Sequence, residues 1–530
     1  MARQLTPLGK FLIVASGLAM VGYALNKYGV LRKAAQVVAP DRKEEGTVSK
    51  DDFGALPPGP GAATTTPSQP VGRGTRLDRP IRVAIVTWGG YAGGIVANDG
   101  FAPNPNSVFA KDHGVQVELL VIDDFEKSRD AFRAGGDKGG VDVMWSTVDA
   151  YALEYGGLRS LNPKAFMQYD WSRGGDAIVV DNAIQNVAGL RGKRLACAEA
   201  TPSHYFALFA LTQGGLTNRD VQWVFTTSAV EAANVFKANK VDAAVSWSPD
   251  VYMAAKERGH ILASTKEASN LIADIFVARG DFIEKHPEDL RRFVAGWLKG
   301  VEMANANPSR TAALLAKSFS GIGLDDAKGM LEDVKLPNYG ENRAFFSGQG
   351  SLVTYQSIYK TAQGIWRKIG KISEVYEPYQ TVDTRFLESA AEFFPAEPEA
   401  KPEFEFKAPP KPAAAPILTK TVSIYFPTGS FSLDENAKAV LDTQVVELAA
   451  TFGNAYLRIA GNTDNVGNRE SNMRLSRQRA EAVSVYLVSR GFERNKFDVV
   501  GHGPDKPVAS NDTDDGRAKN RRTDFEVIPR

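Results

Sequence analysis

Gly461-Asn462-Thr463-Asp464-Asn465-Val466-Gly467, followed by Ser471-Asn472-Met473-Arg474-Leu475-Ser476-Arg477-Gln478-Arg479-Ala480, reads as a tight polar loop opening onto a long helix. The apolar run 457–460 before it has strand character and stops at Gly461. The helical pattern spans 472–490 and closes at Gly491. Outward from this centre, 422–426, 497–500 and 524–527 read as strands. Residues 433–452 read as a helix with Asp434 and Glu435 in its first turn, where carboxylates favour the helix dipole. The tail is expected to be an α+β unit in the order strand, helix, strand, helix, strand, strand.

The quoted loop and helix resemble the OmpA-family motif Gly-x-Thr-Asp-x-x-Gly, then Asn-x-x-Leu-Ser-x-x-Arg-Ala. Gly501-His502-Gly503, Gly516-Arg517 and Asn520-Arg521-Arg522 match later landmarks of the same family. In that family a loop aspartate and a helix arginine hold the free end of diaminopimelate in the peptidoglycan stem peptide. The resemblance assigns those roles to Asp464 and Arg479, with Asn472 at the helix start and Thr463 and Asn465 lining the loop. The chemistry suits the ligand: a carboxylate meets the ammonium, and a planar guanidinium meets the carboxylate bidentately. The alternative for Asp464 and Arg479 is an intramolecular salt bridge. Arg521 and Arg522 are expected to support the fold by pairing with nearby carboxylates.

Upstream, strand and helix patterns alternate. Residues 81–87, 115–122, 141–145, 194–198, 221–226 and 241–247 read as strands. Helical patterns lie at 125–134, 205–213 and 230–239, and the stretch after Pro287 is mostly helical. Such alternation predicts parallel sheets covered by helices on both faces. Gly140-Val141-Asp142-Val143, Ala188-Gly189-Leu190-Arg191-Gly192-Lys193, Gly215-Leu216 with Asp220-Val221, and Val241-Asp242-Ala243-Ala244 before Trp247-Ser248-Pro249 carry a resemblance over residues 79–386. They resemble periplasmic solute-binding proteins of the nitrate-, sulfonate- and thiamine-precursor-binding type. That family folds as two α/β lobes (type II-like) closing on a small polar or anionic solute.

Open α/β sheets place ligands beyond the carboxyl ends of their strands. The expected solute site therefore draws on Trp88, Gly89 and Tyr91, on Ser146 and Thr147 with Asp149 beside them, on Ser203 and His204, and on Trp247 and Asp250. Gly89, Gly90, Gly93 and Gly94 would let backbone approach a ligand. Other roles stand beside these: Trp88 and Trp247 as lobe packing, Ser203 as a helix cap, His204 as a hydrogen-bonded structural residue, and Asp250 as a helix-start residue. No Gly-Lys-Ser/Thr follows the glycines, so this is not a phosphate loop. The five histidines show no metal spacing, and neither Gly-x-Ser-x-Gly nor His-Glu-x-x-His occurs. The expectation is a binder, not an enzyme, with no catalytic residues, cofactor or metal. The single cysteine, Cys197, lies in an apolar strand and reads as a buried structural thiol.

Composition agrees with several globular units: 530 residues, 43% hydrophobic, 24% charged. A net charge of +1 gives no global field toward nucleic acid, which is not an expected partner. Arg3 and Lys10 precede the apolar run 11–25, and Lys27, Arg32 and Lys33 follow it. A spanning helix takes about 20 apolar residues, and Lys27 can snorkel to extend this one. Residues 1–33 are read as an anchor in the lipid bilayer, the alternative being a cleaved signal peptide. Residues 34–79 form a Pro/Gly-rich linker, 80–386 the two-lobed domain, 387–418 a Pro-rich linker, and 419–530 the OmpA-like domain. The functional expectation is an inner-membrane-anchored, wall-held periplasmic receptor, with an ABC permease as candidate partner. The competing readings are a structural envelope linker, a stator-like OmpA-family membrane protein, which would want a carboxylate in its helix where residues 11–25 have none, and an enzyme on the same fold using Cys197.

Overall fold

The computed structural model describes residues 71–72, 74–348, 351–394, 404–406, 415–427 and 429–530. The expected anchor at 1–33, and most of both expected linkers, lie outside the described residues. Among the described residues no helix is long and apolar enough to cross a membrane.

The middle of the chain builds two α/β lobes. Lobe 1 starts with β1 (Ile81–Ile85), α1 (Ala92–Asn98), β2 (Val117–Val121), α2 (Phe125–Ala134), β3 (Val143–Thr147), α3 (Val148–Leu158) and β4 (Lys164–Ser172). The chain then crosses into lobe 2: β5 (Asp176–Val180), β6 (Arg194–Ala198), α4 (Pro202–Gln213), β7 (Gln222–Thr226), α5 (Ala229–Lys237), β8 (Ala243–Trp247), α6 (Asp250–Glu257) and β9 (His260–Ser264). It crosses back as β10 (Ala273–Ala278). Lobe 1 is completed by α7 (Pro287–Ala306), α8 (Leu324–Glu332), β11 (Val334–Lys335), α9 (Tyr339–Ser347) and α10 (Tyr355–Lys368). The strand orders are β11-β4-β10-β3-β1-β2 and β7-β6-β8-β5-β9.

Parallel pairing holds for β1 with β2 and β3, and for β6 with β7 and β8. The strands that enter or leave a lobe, β4, β5, β9 and β10, pair antiparallel, so both sheets are mixed. The cause is topological: a chain that passes between lobes twice must enter each sheet against its direction. Local start signals set the helices. Asp124 accepts from Lys127 N at 3.0 Å to cap α2, and Thr147 accepts from Ala150 N at 3.2 Å to cap α3.

Residues 387–394 continue as helical turns, with Leu387, Ala390 and Phe394 buried. The tail then forms β12 (Leu418–Val422), α11 (Glu435–Leu441), α12 (Glu447–Thr451), β13 (Ala455–Asn462), α13 (Arg469–Ser489), β14 (Phe497–Gly503), α14 (Asp514–Asn520) and β15 (Thr523–Pro529). A π-helical turn, Asp442–Val446, joins α11 to α12. The sheet order is β12-β15-β13-β14. The first strand lies four residues earlier than the 422–426 expected. Leu418 to Val422 complete the ladder with β15, which frees Phe426 to pack beneath Arg479.

One apolar cluster runs through lobe 1, part of lobe 2 and the tail; a second, around Phe236 and Val251, fills the rest of lobe 2. The tail is bonded to the lobes. Val187 N donates to Ile417 O at 2.9 Å and Lys420 Nζ to Gln213 Oε1 at 2.8 Å, both to lobe 2. Asn270, on the return crossing, donates to Thr451 O and Ala450 O at 3.1 and 2.9 Å. Thr361 on α10 donates to Glu447, and Phe452 stacks near Phe209.

Gly93 and Gly94 do not face a ligand. They lie on α1 beneath Trp297 and Val301 of α7. A Cβ at Gly300 would stand 2.8 Å from Ala97 Cβ and closer still to the Gly93 carbonyl oxygen. These glycines set the approach of two helices, so Gly300→Ala is expected to cost about 1–3 kcal/mol by overpacking. Thermal unfolding of the full-length protein checks it: an unchanged Tm removes the packing role.

Candidate functional site

Two sites emerge. In the tail, α13 lies flat across β13 and β14 because Gly461, Gly501 and Gly503 leave no side chain beneath it. A Cβ at Gly461 would strike the Ser476 backbone, and one at Gly501 the Arg477 amide. Asn468 caps α13 by accepting from Ser471 N at 3.1 Å. Asn472 sits one turn further in and ties down the loop by donating to Val466 O at 3.0 Å. Asp464 Oδ1 accepts from Val466 N at 3.1 Å, which fixes its carboxylate at the loop tip. Its other oxygen accepts from Arg521 Nη1 at 2.6 Å. Thr463 is buried and donates to Asp464 O at 2.8 Å, whereas Asn465 is exposed.

Asp464 and Arg479 do not bond each other. Arg479 Nε donates to Ser430 O at 3.0 Å, Nη2 reaches Pro427 O at 3.4 Å, and the guanidinium stands 4.9 Å over the Phe426 ring. Its charge is held by two carbonyls and a ring, and among the described residues no carboxylate is bonded to it. Arg522 pairs with Asp524 at 3.0 Å, and Asp524 also accepts from Asn462 at 3.0 Å. The arginine pair therefore divides: Arg522 belongs to the sheet, Arg521 to the loop.

Between the lobes, the register brings strand ends together. Thr147, Asp274 and Asp170 form one row across β3, β10 and β4. On lobe 2 Trp247 stands opposite Asp176 across β8 and β5. Trp88 donates from Nε1 to Asp170 Oδ2 at 2.6 Å, and its ring lies against Gly175 in the first crossing. Trp145, Phe125 and Trp247 stand edge to face, at 5.0 and 6.2 Å between successive centroids, so aromatic rings span both lobes. Asp149, wholly buried at the start of α3 beside the Thr147 side chain, has no well-formed hydrogen bond to either carboxylate oxygen among the described residues.

The remaining expected residues separate from this set. Gly89 packs against the Met330 backbone, and Gly90 against the Asp170 carboxylate. Tyr91 is fully buried and shares a 3.0 Å hydrogen bond with Tyr169. Ser146 donates to the Thr147 carbonyl at 3.2 Å. His204 accepts from Ala200 N at 3.2 Å and is ringed by Trp223, Phe225 and Trp366. Burial pushes that imidazole down to about 4, which leaves it neutral near pH 7. Ser203 does not cap α4, whose N-cap is Thr201; its hydroxyl is buried without a partner. Asp250 lies in the first turn of α6, partly exposed.

Burial pushes the Asp149 and Asp176 carboxyls up to about 7 and Asp170 to about 6, and raises Asp274 well above the usual range. Sequence reasoning missed Asp170, Asp176 and Asp274 because it did not recognise β4, β5 and β10 as strands. The signal was a lone acid inside an apolar run, as in Tyr169-Asp170-Trp171 and Ala273-Asp274-Ile275.

Residues 425–521 match the OmpA family and residues 169–311 the NMT1/THI5 like family. The chain joins an OmpA domain to an NMT1/THI5-like domain. Similar proteins include an Outer membrane protein A of Bordetella avium, 37% identical over 22% of this chain. The chain spans 62% of that relative's length. A Taurine-binding periplasmic protein of Escherichia coli is 26% identical over 53% of this chain and 87% of its own. The solved aliphatic sulphonate binding protein SsuA of Escherichia coli aligns over 58% of this chain and 98% of its own, at 16% identity and a TM-score of 0.47. In the NMT1/THI5-like domain Cys197 is buried, and burial raises its thiol pKa, which opposes a nucleophile's role.

The raised carboxyls make stability depend on pH. Between about pH 4 and pH 7 the folded chain keeps protons at Asp149 and Asp176 that the unfolded chain, with the ordinary value 3.8, releases. Their contribution is full below about pH 4, declines as pH rises to about 7, and then levels off. Asp149→Asn, which mimics the neutral acid, is expected to stabilise the protein by about 1–3 kcal/mol at pH 8 and by less than half as much at pH 5. Denaturant unfolding at the two pH values measures it. A variant equally or less stable than the parent at pH 8 contradicts the assignment.

Proposed function

We propose that this protein is a wall-held receptor of a Gram-negative-type envelope: its OmpA domain grips the peptidoglycan stem peptide while its two lobes capture a small polar solute in the periplasm. The observation that carries the reading is the geometry at the tail loop. Asp464 is fixed at the tip by the Val466 amide, and Arg479 is held nearby by two carbonyls, without a bonded carboxylate among the described residues. One ligand end that carries both an ammonium and a carboxylate, as diaminopimelate does, complements such a divided pair. The solute role is supported by the NMT1/THI5-like match and by the meeting of strand ends between the lobes. We extend the proposal to an N-terminal bilayer anchor at 1–33 and to delivery of the solute to an ABC permease or a sensor.

Co-sedimentation of the full-length protein with isolated sacculi tests the first part. The parent protein is expected in the pellet. Asp464→Ala and Arg479→Ala are each expected to lower retention at least tenfold, equivalent to ~1.4 kcal/mol. A parent protein that stays in the supernatant, or variants that sediment as well as it does, overturns wall binding through this loop.

A further inference from the structure

Resting on the solute-binding reading, we propose that the interlobe site selects a solute bearing a protonated amine, seated against Asp149 and Asp170 and walled by tryptophan. The two faces that meet there are built from acids. Lobe 1 contributes Asp170 and Asp274, side by side in one register row, and Asp149 in the first turn of α3, two residues beyond Thr147. Lobe 2 contributes Asp176, opposite Trp247. All four are at least nine-tenths buried, and no ion pair to a lysine or arginine is found at any of them among the described residues. The nearby guanidinium, Arg129, is already neutralised by Glu154, which accepts at 2.8 and 3.0 Å.

Asp149 gives the observation independent of acid count. Both its oxygens are buried without a well-formed hydrogen bond among the described residues, while its backbone carbonyl is occupied by Trp366 Nε1 at 2.9 Å. Trp366 in turn packs on His204 and Tyr205 of lobe 2, which places Asp149 where the lobes meet. Asp170 stands beside Asp274, whose raised carboxyl keeps a proton the two acids share, so the pair carries at most one charge. A buried carboxylate with no donor costs several kcal/mol by typical desolvation figures, and an alkylammonium answers it with up to three N–H donors. Trp88, bonded through its N–H to Asp170, and Trp247, opposite Asp176, supply aromatic rings beside the acids, and such rings attract a cation.

A metal ion fits less well than an organic cation. Among the described residues no three carboxylates, imidazoles or thiols lie close enough together to hold one. The raised carboxyls described above are the mark of acids awaiting a counter-charge, and a bound ammonium would draw them back toward ionisation.

Matched solutes that differ in their nitrogen test the idea. Taurine against ethanesulfonate, and 1,4-diaminobutane against 1,4-butanediol, are titrated calorimetrically into the full-length protein, with nitrate and methanesulfonate as amine-free anions. One amine-bearing member is expected to bind at least tenfold tighter than its counterpart. Asp149→Asn and Asp170→Asn should each reduce that preference to under threefold, in variants whose circular dichroism matches the parent. An amine-free solute that binds as tightly as its amine partner, or an amine preference untouched by both substitutions, overturns the proposal. Binding of nitrate or methanesulfonate with no amine bound sinks this inference and leaves the solute-binding reading standing. Silence across the whole panel sinks both.

Discussion

Thr265 holds the two passages of chain between the lobes together, and the arrangement of everything on either side depends on that tie. Its hydroxyl is fully buried, accepts from Gly174 N and Asp176 N at 3.0 and 3.1 Å, and shares a third bond with Ser172 at 3.0 Å. Its amide donates to Asp176 O at 2.8 Å. One small side chain from the return crossing therefore fastens the outgoing one at three points. Where two strands leave a sheet, their amides lose ladder partners and must be satisfied locally. Thr265 satisfies them and fixes the spacing of Asp170, Ser172 and Asp176 along the seam.

Much of this was legible in the sequence. The helix over 125–134 and the strand over 194–198 fall where periodicity places them, and so do the tail's strands after β12 and its long helix α13, whereas the short helix α14 between β14 and β15 was not expected. The strands that carry the interlobe acids were not legible. β10 along its whole length and β4 from Ala165 onward are buried and rich in aromatic and small residues, so neither shows the period-two alternation that marks a half-exposed strand. The site residues divide the same way. Asp464 and Arg479 stand out through a motif, but the bond from Arg521 to Asp464 joins residues 57 positions apart and leaves no local trace. His204 looked like a ligand residue because of its place after a strand. Only the packed structure shows three aromatic rings closing around it.

The seam departs from the pattern of the remaining core. Buried aspartates outside it carry an arginine partner, as with Asp289, which accepts from Leu77 N and bonds Arg76, and with Asp142, which bonds Arg79. Between the lobes several acids are sealed from water with fewer partners than they can use. A core selected for stability alone would replace them with apolar side chains of similar size. Local rules of this kind tend to break at functional sites, where stability is given up for recognition.

The tail's seat on the lobes has a mechanical consequence. It is bonded at once to lobe 2 through Val187 and Gln213, to the return crossing through Asn270, and to α10 of lobe 1 through Thr361. A body fixed to both arms of a hinge acts as a brace. Any swing of one lobe against the other must do work against those bonds, and by reciprocity a load applied to the brace biases the angle of the hinge. A pull on the tail would then reach the seam as a change in how readily the lobes part.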